Sequence, residues 1–134
     1  DALPIYGVSI PVFTTICRSL FQSKSMKESE IQTAICKYLA SKHKFFWRNN
    51  TTPIWDKKLR NGFGAYRGMG TYAMKGVSDI IVISDFGDAI FIEVKTPRGK
   101  LSADQVLFKK RCERHNAQYY AVSSVEEVMH IFES

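Results

Sequence analysis

The first regular pattern of hydrophobic positions begins shortly after Met26. Apolar residues recur there at intervals of three and four, which is the spacing of one helix face: Ile31, Ala34, Ile35, Tyr38 and Leu39. The spacing predicts a helix from about Lys27 to Ser41. Ser25 stands where an N-cap is expected, and Glu28, three residues later, completes a capping box.

The next patterns are those of β-strands. Phe45–Arg48 is a predicted short strand, and the glycine-rich residues 49–75 that follow are predicted to be a loop. Ile80–Ile83 is an uninterrupted β-branched run, typical of a strand that is covered on both faces. The turn residues at 85–88 then lead into Ala89–Lys95, so we expect an antiparallel hairpin.

Three further elements complete the chain. Residues 102–115 are predicted to form a helix, 118–122 a strand, and the residues after Ser124 a last helix. Capping boxes mark both helix starts, Ser102 with Gln105 and Ser124 with Glu127. The last helix has an apolar face of Val125, Val128, Met129 and Phe132. The order αβββαβα predicts an α/β domain with a mixed central sheet flanked by helices.

Composition limits the class of protein. The chain has 134 residues, of which 45% are hydrophobic and 24% charged, as in a single globular domain. Its three cysteines, Cys17, Cys36 and Cys112, are far apart and form no CxxC pair, which argues against a disulfide framework and against a structural zinc site. We therefore expect a protein of a reducing cytoplasm, either bacterial or, for a viral protein, that of the host cell.

The uncharged stretch 2–17 raises the question of a membrane segment. It is shorter than the roughly 18–20 residues that a spanning helix needs, and Asp1 stands where a signal peptide has a basic start. We expect neither a membrane span nor a signal peptide. Residues 1–25 are predicted to be an N-terminal extension, either native or added for expression, ahead of a domain at 26–134.

Positive charge is concentrated in one segment. The net charge is +6, and residues 42–75 hold eight Lys and Arg residues against one acid, Asp56. A glycine-rich basic loop with aromatic residues fits a phosphate backbone, whose bases or sugars can meet the rings. For any single lysine the alternative is a solvated surface position. The predicted DNA contacts are Arg48, Lys57, Lys58, Arg60, Arg67 and Lys75.

The strand Ala89–Lys95 places charged residues in an apolar setting. Side chains alternate along a strand, so Glu93 and Lys95 lie on one face and the isoleucines on the other. Asp79 opens the preceding strand, and in an antiparallel hairpin it lies at the same rim as Glu93. Two carboxylates held together repel each other unless a cation or a proton bridges them. Because Mg²⁺ accepts such oxygen ligands, a metal site is favoured over a capped strand end with an ion pair.

Six short motifs follow one another along the chain. They are Glu30-Ile31-Gln32, Arg48-Asn49-Asn50, Gly76-Val77-Ser78-Asp79, Glu93-Val94-Lys95, Gly99-Lys100-Leu101-Ser102 with Gln105, and Ser123-Ser124-Val125-Glu126-Glu127. Together they resemble the VRR-NUC (virus-type replication-repair nuclease) family of the PD-(D/E)xK nuclease superfamily, over about Met26 to Phe132. Ser78 stands where the superfamily motif has proline, at a position that is not expected to bind metal.

The resemblance implies a restriction-endonuclease-like αβββαβ core and a metal-dependent endodeoxyribonuclease that uses Mg²⁺ or Mn²⁺. Asp79 and Glu93 would be metal ligands, and the carbonyl of Val94 a third. Lys95 would be the catalytic lysine.

Two more residues would approach this site from helices. Glu30 would reach the metal from the first helix, directly or through water; Glu28 is its rival, but the capping box gives Glu28 another task. Gln105 would approach from the second helix, and its place in the capping box is the competing interpretation.

The resemblance also implies partners. Small stand-alone members are similar to structure-selective resolvases, which act as homodimers on branched DNA such as Holliday junctions, without a small-molecule cofactor. The alternative is a non-catalytic nucleic-acid-binding module that keeps the nuclease fold. A protein of anionic membrane surfaces is a weaker alternative, because a basic amphipathic helix is missing from the pattern.

Overall fold

The computed structural model describes residues 25–49, 55–66, 70 and 72–134. Each helix and strand predicted from the sequence is present, with ends displaced by no more than one residue. In chain order the elements are α1 (Glu28–Ser41), β1 (Phe45–Arg48), β2 (Trp55–Asp56), β3 (Ala65–Tyr66), β4 (Ile80–Ile83), β5 (Ala89–Val94), α2 (Ala103–Arg114), β6 (Gln118–Val122) and α3 (Val125–Glu133).

Most of the predicted N-terminal extension lies outside the described residues, and so does Cys17. Across the part of the chain that the structure describes, no helix has the length and apolar character needed to cross a membrane.

Four strands form one mixed sheet in the order β1-β4-β5-β6. β4 is antiparallel to both β1 and β5, whereas β5 and β6 are parallel. Parallel neighbours require a crossover connection, and α2 provides it. The predicted hairpin of β4 and β5 and the predicted mixed sheet flanked by helices are both confirmed.

The main hydrophobic core lies between one face of this sheet and the helices α1 and α3. Alternate residues of β4 and β5 point into it: Ile80, Val82, Ile90, Ile92 and Val94. They meet the apolar stripe of α1, in which Ile35 and Leu39 are fully buried, and Val128 of α3. The opposite face of the sheet carries α2, where the Phe108 ring packs edge-on against Phe91 with 5.0 Å between ring centroids. Each buried side chain of this size contributes about 1.5–3 kcal/mol to folding.

The start of α1 differs from the prediction. The N-cap is Lys27, and the side chain that returns to the cap is that of Glu30, whose Oε2 accepts a hydrogen bond from the Lys27 N–H at 3.0 Å. The predicted capping box of Ser25 with Glu28 is therefore wrong. Glu30 has the capping role because it, and not Glu28, is the third residue after the cap.

The described residues 55–66 form more than a plain loop. β2 and β3 form a small antiparallel hairpin that pairs Trp55 with Tyr66, and their rings meet edge to face at 5.1 Å. Gly64 adopts a positive φ of 82°, and the Trp55 indole lies so close to it that an added Cβ would collide with the ring. The prediction of a continuous loop was wrong here, because Gly64 takes a backbone conformation that permits a hairpin, whereas the sequence analysis took the glycines to interrupt regular structure.

A second glycine sets the approach of α2 to the sheet. Gly76 has a φ of 79°, and an added Cβ would collide with the backbone carbonyl of Asp104 and lie 2.8 Å from the nitrogen of Gln105. The segment that leads into β4 therefore rests directly on the first turn of α2. This contact brings the start of β4 and the start of α2 to the same end of the sheet.

Gly76→Ala should destabilise the protein more than Gly87→Ala. Both glycines have a positive φ, so alanine costs about 1–2 kcal/mol of unfolding free energy at either position. At Gly87 an added Cβ meets open space, whereas at Gly76 it meets the backbone of α2. Urea denaturation measures both losses, and equal losses would contradict the close contact at Gly76.

Candidate active site

Two carboxylates meet at one rim of the sheet. The register of β4 and β5 places Asp79, just before β4, beside Glu93 near the end of β5. Asp79 Oδ2 accepts a hydrogen bond from the N–H of Val94 at 2.9 Å. The backbone carbonyl of Asp79 accepts another from the N–H of Asn49 at 2.8 Å. Asp79 thus ties the ends of three adjacent strands together.

Glu93 is the one buried charged side chain among the described residues, with 2% of its surface exposed. Its Oε1 accepts a hydrogen bond from Nε2 of Gln105 at 2.7 Å and lies 3.9 Å from Nζ of Lys95. Its Oε2 is buried and has no hydrogen-bond partner in the described part of the chain. A buried carboxylate oxygen without a partner is unfavourable, so this atom fits a position that a proton or a cation occupies.

The surroundings of Glu93 disfavour its charged form. Burial and the negative charge of Asp79 raise the pKa of Glu93 to about 8, and the ammonium of Lys95 offsets only part of this effect. These surroundings therefore favour the protonated form of the carboxyl. A divalent cation between the two acids would favour the charged form instead.

Gln105 makes two sets of contacts at once. Its Oε1 accepts a hydrogen bond from the Ser102 N–H at 2.8 Å, and its own N–H donates to Ser102 Oγ at 3.2 Å. This is the predicted capping box. The amide nitrogen of the same side chain donates to Glu93. The two interpretations of Gln105 are therefore compatible, because a primary amide has both an acceptor and donors.

On α1, Glu28 and Glu30 are both exposed. The negative charge of Glu28 makes the smallest of the contributions that raise the pKa of Glu93, whereas the Glu30 side chain caps the helix. Glu28 precedes the buried Ile31 and Ile35 by three and seven residues, so it lies on the helix face turned toward the sheet. That spacing is visible in the sequence, but the incorrect capping box concealed it.

Arg48 borders the acid pair. It is opposite Ile80 in the register of β1 and β4, one residue from Asp79. Its Nη2 donates a hydrogen bond to Oε1 of Gln32 on α1 at 2.8 Å. The guanidinium is exposed, so it lies at the rim with an open side toward solvent.

The other predicted DNA contacts are farther along the chain. Lys57, Lys58 and Arg60 are exposed between β2 and β3, and Lys75 is exposed just before Gly76. Arg67 lies outside the described residues.

Tyr119 is a neighbour of the site that the sequence did not indicate. Its hydroxyl is buried without a hydrogen-bond partner among the described residues, and its ring lies 6.1 Å from that of Phe108. Burial, followed by the charge of Glu93, raises the pKa of the Tyr119 phenol. Two adjacent tyrosines occur in β6, and nothing in the sequence distinguishes the one that faces the site.

Asp79 and Glu93 fit a hard divalent cation. Their four oxygens include the partnerless Oε2 of Glu93, and Mg²⁺ commonly binds through one or two carboxylates and several waters. Within the described residues no three His, Cys, Asp or Glu side chains form a metal-holding group by themselves. Val94 lies at the same end of β5, and its carbonyl as a third ligand stays a prediction.

The chain is similar to known proteins in sequence and in fold. The family model described as "VRR-NUC domain" matches residues 26–126. A solved structure described as "VRR_NUC domain" is similar with a TM-score of 0.57 and 18% sequence identity, over 81% of this chain and 97% of that one. At this identity the likeness is one of fold. No curated protein matches the chain.

Glu93→Gln should flatten the pH dependence of stability between about pH 4.5 and pH 8. Folding raises the pKa of this carboxyl from 4.5 to about 8, so its stabilising effect is full below pH 4.5 and is lost as the pH rises through 8. The slope is at most about 1.4 kcal/mol per pH unit.

Urea denaturation from pH 5 to pH 9 in the presence of EDTA measures this slope. Glu126→Gln, an exposed position on α3, is the matched control and should behave as the wild type does. The same pH dependence in Glu93→Gln and in the wild type would show that Glu93 is not held in its protonated form.

Proposed function

Since this chain belongs to the VRR-NUC domain family, we propose that it hydrolyses phosphodiester bonds of DNA with the help of a divalent metal ion. The observation that carries the proposal is the pairing of the buried Glu93 with the half-buried Asp79, in which Oε2 of Glu93 has no hydrogen-bond partner among the described residues. Holding two carboxylates together away from water is unfavourable unless a cation or a proton compensates. A module that only bound DNA would have no use for this pair in a basic protein, so the nuclease is favoured over the binding module.

Mg²⁺, or Mn²⁺ in its place, is the proposed cofactor. Asp79 and Glu93 would hold it, with the carbonyl of Val94 as a further ligand. Glu30, directly or through water, stays the proposed acid from α1, and Glu28 is the alternative because its charge acts on Glu93 whereas Glu30 also caps the helix. When bound, such an ion polarises a phosphoryl oxygen and lowers the pKa of a water molecule.

The chain's own residues are proposed to position and stabilise the reacting phosphate. The ammonium of Lys95 is 3.9 Å from Glu93, and 18% of the Lys95 side chain is exposed, so it lies where a phosphate oxygen can approach. Its charge would stabilise the negative charge that develops on that oxygen. Gln105 is a positioning residue, because it contacts Glu93 and fixes the direction of the carboxylate.

Contacts to the DNA backbone are proposed for the basic residues around the site. Arg48 is at the rim beside Asp79, and the exposed turn of the β2–β3 hairpin adds Lys57, Lys58 and Arg60. Phosphate contacts by such residues supply affinity and orientation without reading sequence.

Branched DNA, such as a four-way junction, is the proposed preferred substrate, and a homodimer is the proposed active form. The described residues contain one buried carboxylate, that of Glu93, whereas a four-way junction presents two equivalent strands. A dimer with two-fold symmetry would supply two equivalent sites. The motifs shared with small stand-alone VRR-NUC proteins support the same substrate and the same assembly.

The wild-type protein should cleave DNA in the presence of Mg²⁺, and Asp79→Asn should lose at least about 100-fold in rate (about 2.7 kcal/mol). Asparagine keeps the shape and can still accept the hydrogen bond from Val94, but it brings no charge to a cation. Its DNA affinity should stay within a few-fold of the wild type. Asp85→Asn, in the turn at the other end of β4, is the matched control and should cleave normally.

The assay uses a four-way junction, a flap, a duplex and a single strand of shared sequence. Wild-type rates in Asp79→Asn would contradict the role of the acid pair. Equal cleavage of all four substrates would contradict a preference for branched DNA, and no cleavage of any would favour the binding module.

Replacing Lys57, Lys58 and Arg60 with alanine should reduce the salt dependence of DNA binding. Each phosphate contact releases condensed counterions, so losing one contact lowers the slope of log K against log salt by about 1. Fluorescence anisotropy at several salt concentrations measures the slope. Alanine at Lys109, Lys110 and Arg114, three exposed basic residues of α2, is the control with the same change of charge. Equal slopes of log K against log salt in the two triple variants would show that the β2–β3 hairpin makes no special contribution to the contacts with the DNA backbone.

A further inference from the structure

A pocket of about 400 Å³ lies next to the proposed active site, between α2 and the residues that precede Gly76. Its apolar lining consists mainly of Tyr72, Met74, Leu107 and Phe108. Two cations, Lys75 and Arg111, also line it. Apart from Lys75, which is a predicted DNA contact, none of these residues has a task in the reaction proposed above.

The lining combines ring and aliphatic surfaces with positive charge at the edge. Tyr72 is fully exposed, and 58% of Leu107 is exposed although it lies on a helix of a small domain. Exposed apolar side chains gathered around a concave surface mark a binding site more often than isolated ones do. Lys75 and Arg111 indicate an anionic ligand, so the chemistry fits a planar apolar group that carries phosphate.

Both walls of the pocket continue directly into the proposed active site. The wall of residues 72–75 leads through Gly76 to Asp79, and the α2 wall includes Asp104, whose neighbour Gln105 contacts Glu93. Gly76 holds the two walls together, because its backbone rests on that of Asp104 and Gln105. The pocket therefore adjoins the acid pair along both walls, through Gly76 in one and through Asp104 and Gln105 in the other.

We propose that this pocket accepts one unpaired nucleobase of the DNA strand that is cut, next to the scissile phosphate. The base would lie against Tyr72 and Leu107, and Lys75 and Arg111 would contact the phosphates on either side of it. Bases stack on aromatic side chains regardless of sequence. Asp104 is also in the lining, and a carboxylate can accept a hydrogen bond from an exocyclic amino group.

The inference rests on the proposed nuclease function and gives it a source of selectivity. A base in a duplex reaches a pocket only after it is unpaired and unstacked, which is unfavourable, whereas a base in a flap or in a single strand is already free. Branched DNA that carries an unpaired base is therefore favoured by this pocket, and fully paired duplex is disfavoured by the same contact.

Fluorescence of 2-aminopurine tests the inference. The probe is a 12-nucleotide single strand in which one 2-aminopurine is moved from position to position, titrated with protein in the presence of EDTA so that binding is measured without cleavage. Stacking in the pocket should quench the fluorescence with the wild-type protein. Tyr72→Ala and Leu107→Glu should abolish the quenching and weaken binding about 10-fold or more.

The controls are Phe86→Ala and Phe86→Glu, which match these changes at an exposed aromatic residue in the turn between β4 and β5, away from the pocket. They should quench and bind as the wild type does. A fully paired duplex with the same 2-aminopurine should show no quenching on binding.

No quenching at any probe position, or equal effects of the Phe86 variants and the pocket variants, would overturn the inference. The same proteins are assayed for cleavage with Mg²⁺. Cleavage without quenching would support the nuclease proposal and contradict base binding in the pocket. Quenching without cleavage would support base binding in the pocket and contradict the nuclease proposal.

Discussion

The buried carboxyl group of Glu93, beside that of Asp79, is the constraint on which the rest of the site depends. An acid with 2% exposure in an apolar setting must be protonated or be matched by positive charge. The surrounding groups meet this demand in part. Gln105 donates a hydrogen bond to Oε1 of Glu93, and the ammonium of Lys95 lies near the same oxygen. The neighbouring Asp79 accepts a hydrogen bond from the Val94 N–H. The second oxygen of Glu93 stays without a partner in the described part of the chain, and the proposed cation would interact with it.

The topology explains why these groups meet. The β4–β5 hairpin brings the start of one strand to the end of the next, which places Asp79 beside Glu93. The crossover to the parallel strand β6 makes α2 begin at this same end, so the side chain in its capping box, Gln105, reaches the acid pair. Gly76 permits the close approach of the two segments, and its contact with α2 also forms one side of the adjoining pocket.

The sequence predicted those parts of the fold that local patterns determine. The run Ile80–Ile83 and the capping box of Ser102 with Gln105 are strong local signals, and both elements are where they were expected. The cap of α1 was predicted wrongly because Ser25 is a preferred N-cap residue with Glu28 three positions later, whereas the observed N-cap, Lys27, is not a preferred residue.

Other features depend on distant contacts. The β2–β3 hairpin requires the Trp55 ring to cover Gly64, nine residues away, which no periodicity reveals. The buried hydroxyl of Tyr119 becomes visible only when β6 is placed beside β5 and below Phe108. In the site, the acid pair and Gln105 followed from strand alternation and capping, whereas the choice between Glu28 and Glu30 required the orientation of the helix.

The central claim is that Asp79 and Glu93 together hold a divalent cation, and calorimetric titration of the protein with Mn²⁺ tests it without DNA or turnover. The account predicts that Mn²⁺ binds to the wild-type protein, that Asp79→Asn and Glu93→Gln each weaken this binding about 10-fold or more, and that Asp85→Asn leaves it unchanged. Equal Mn²⁺ affinity in all four proteins, or no binding to the wild type, would contradict it.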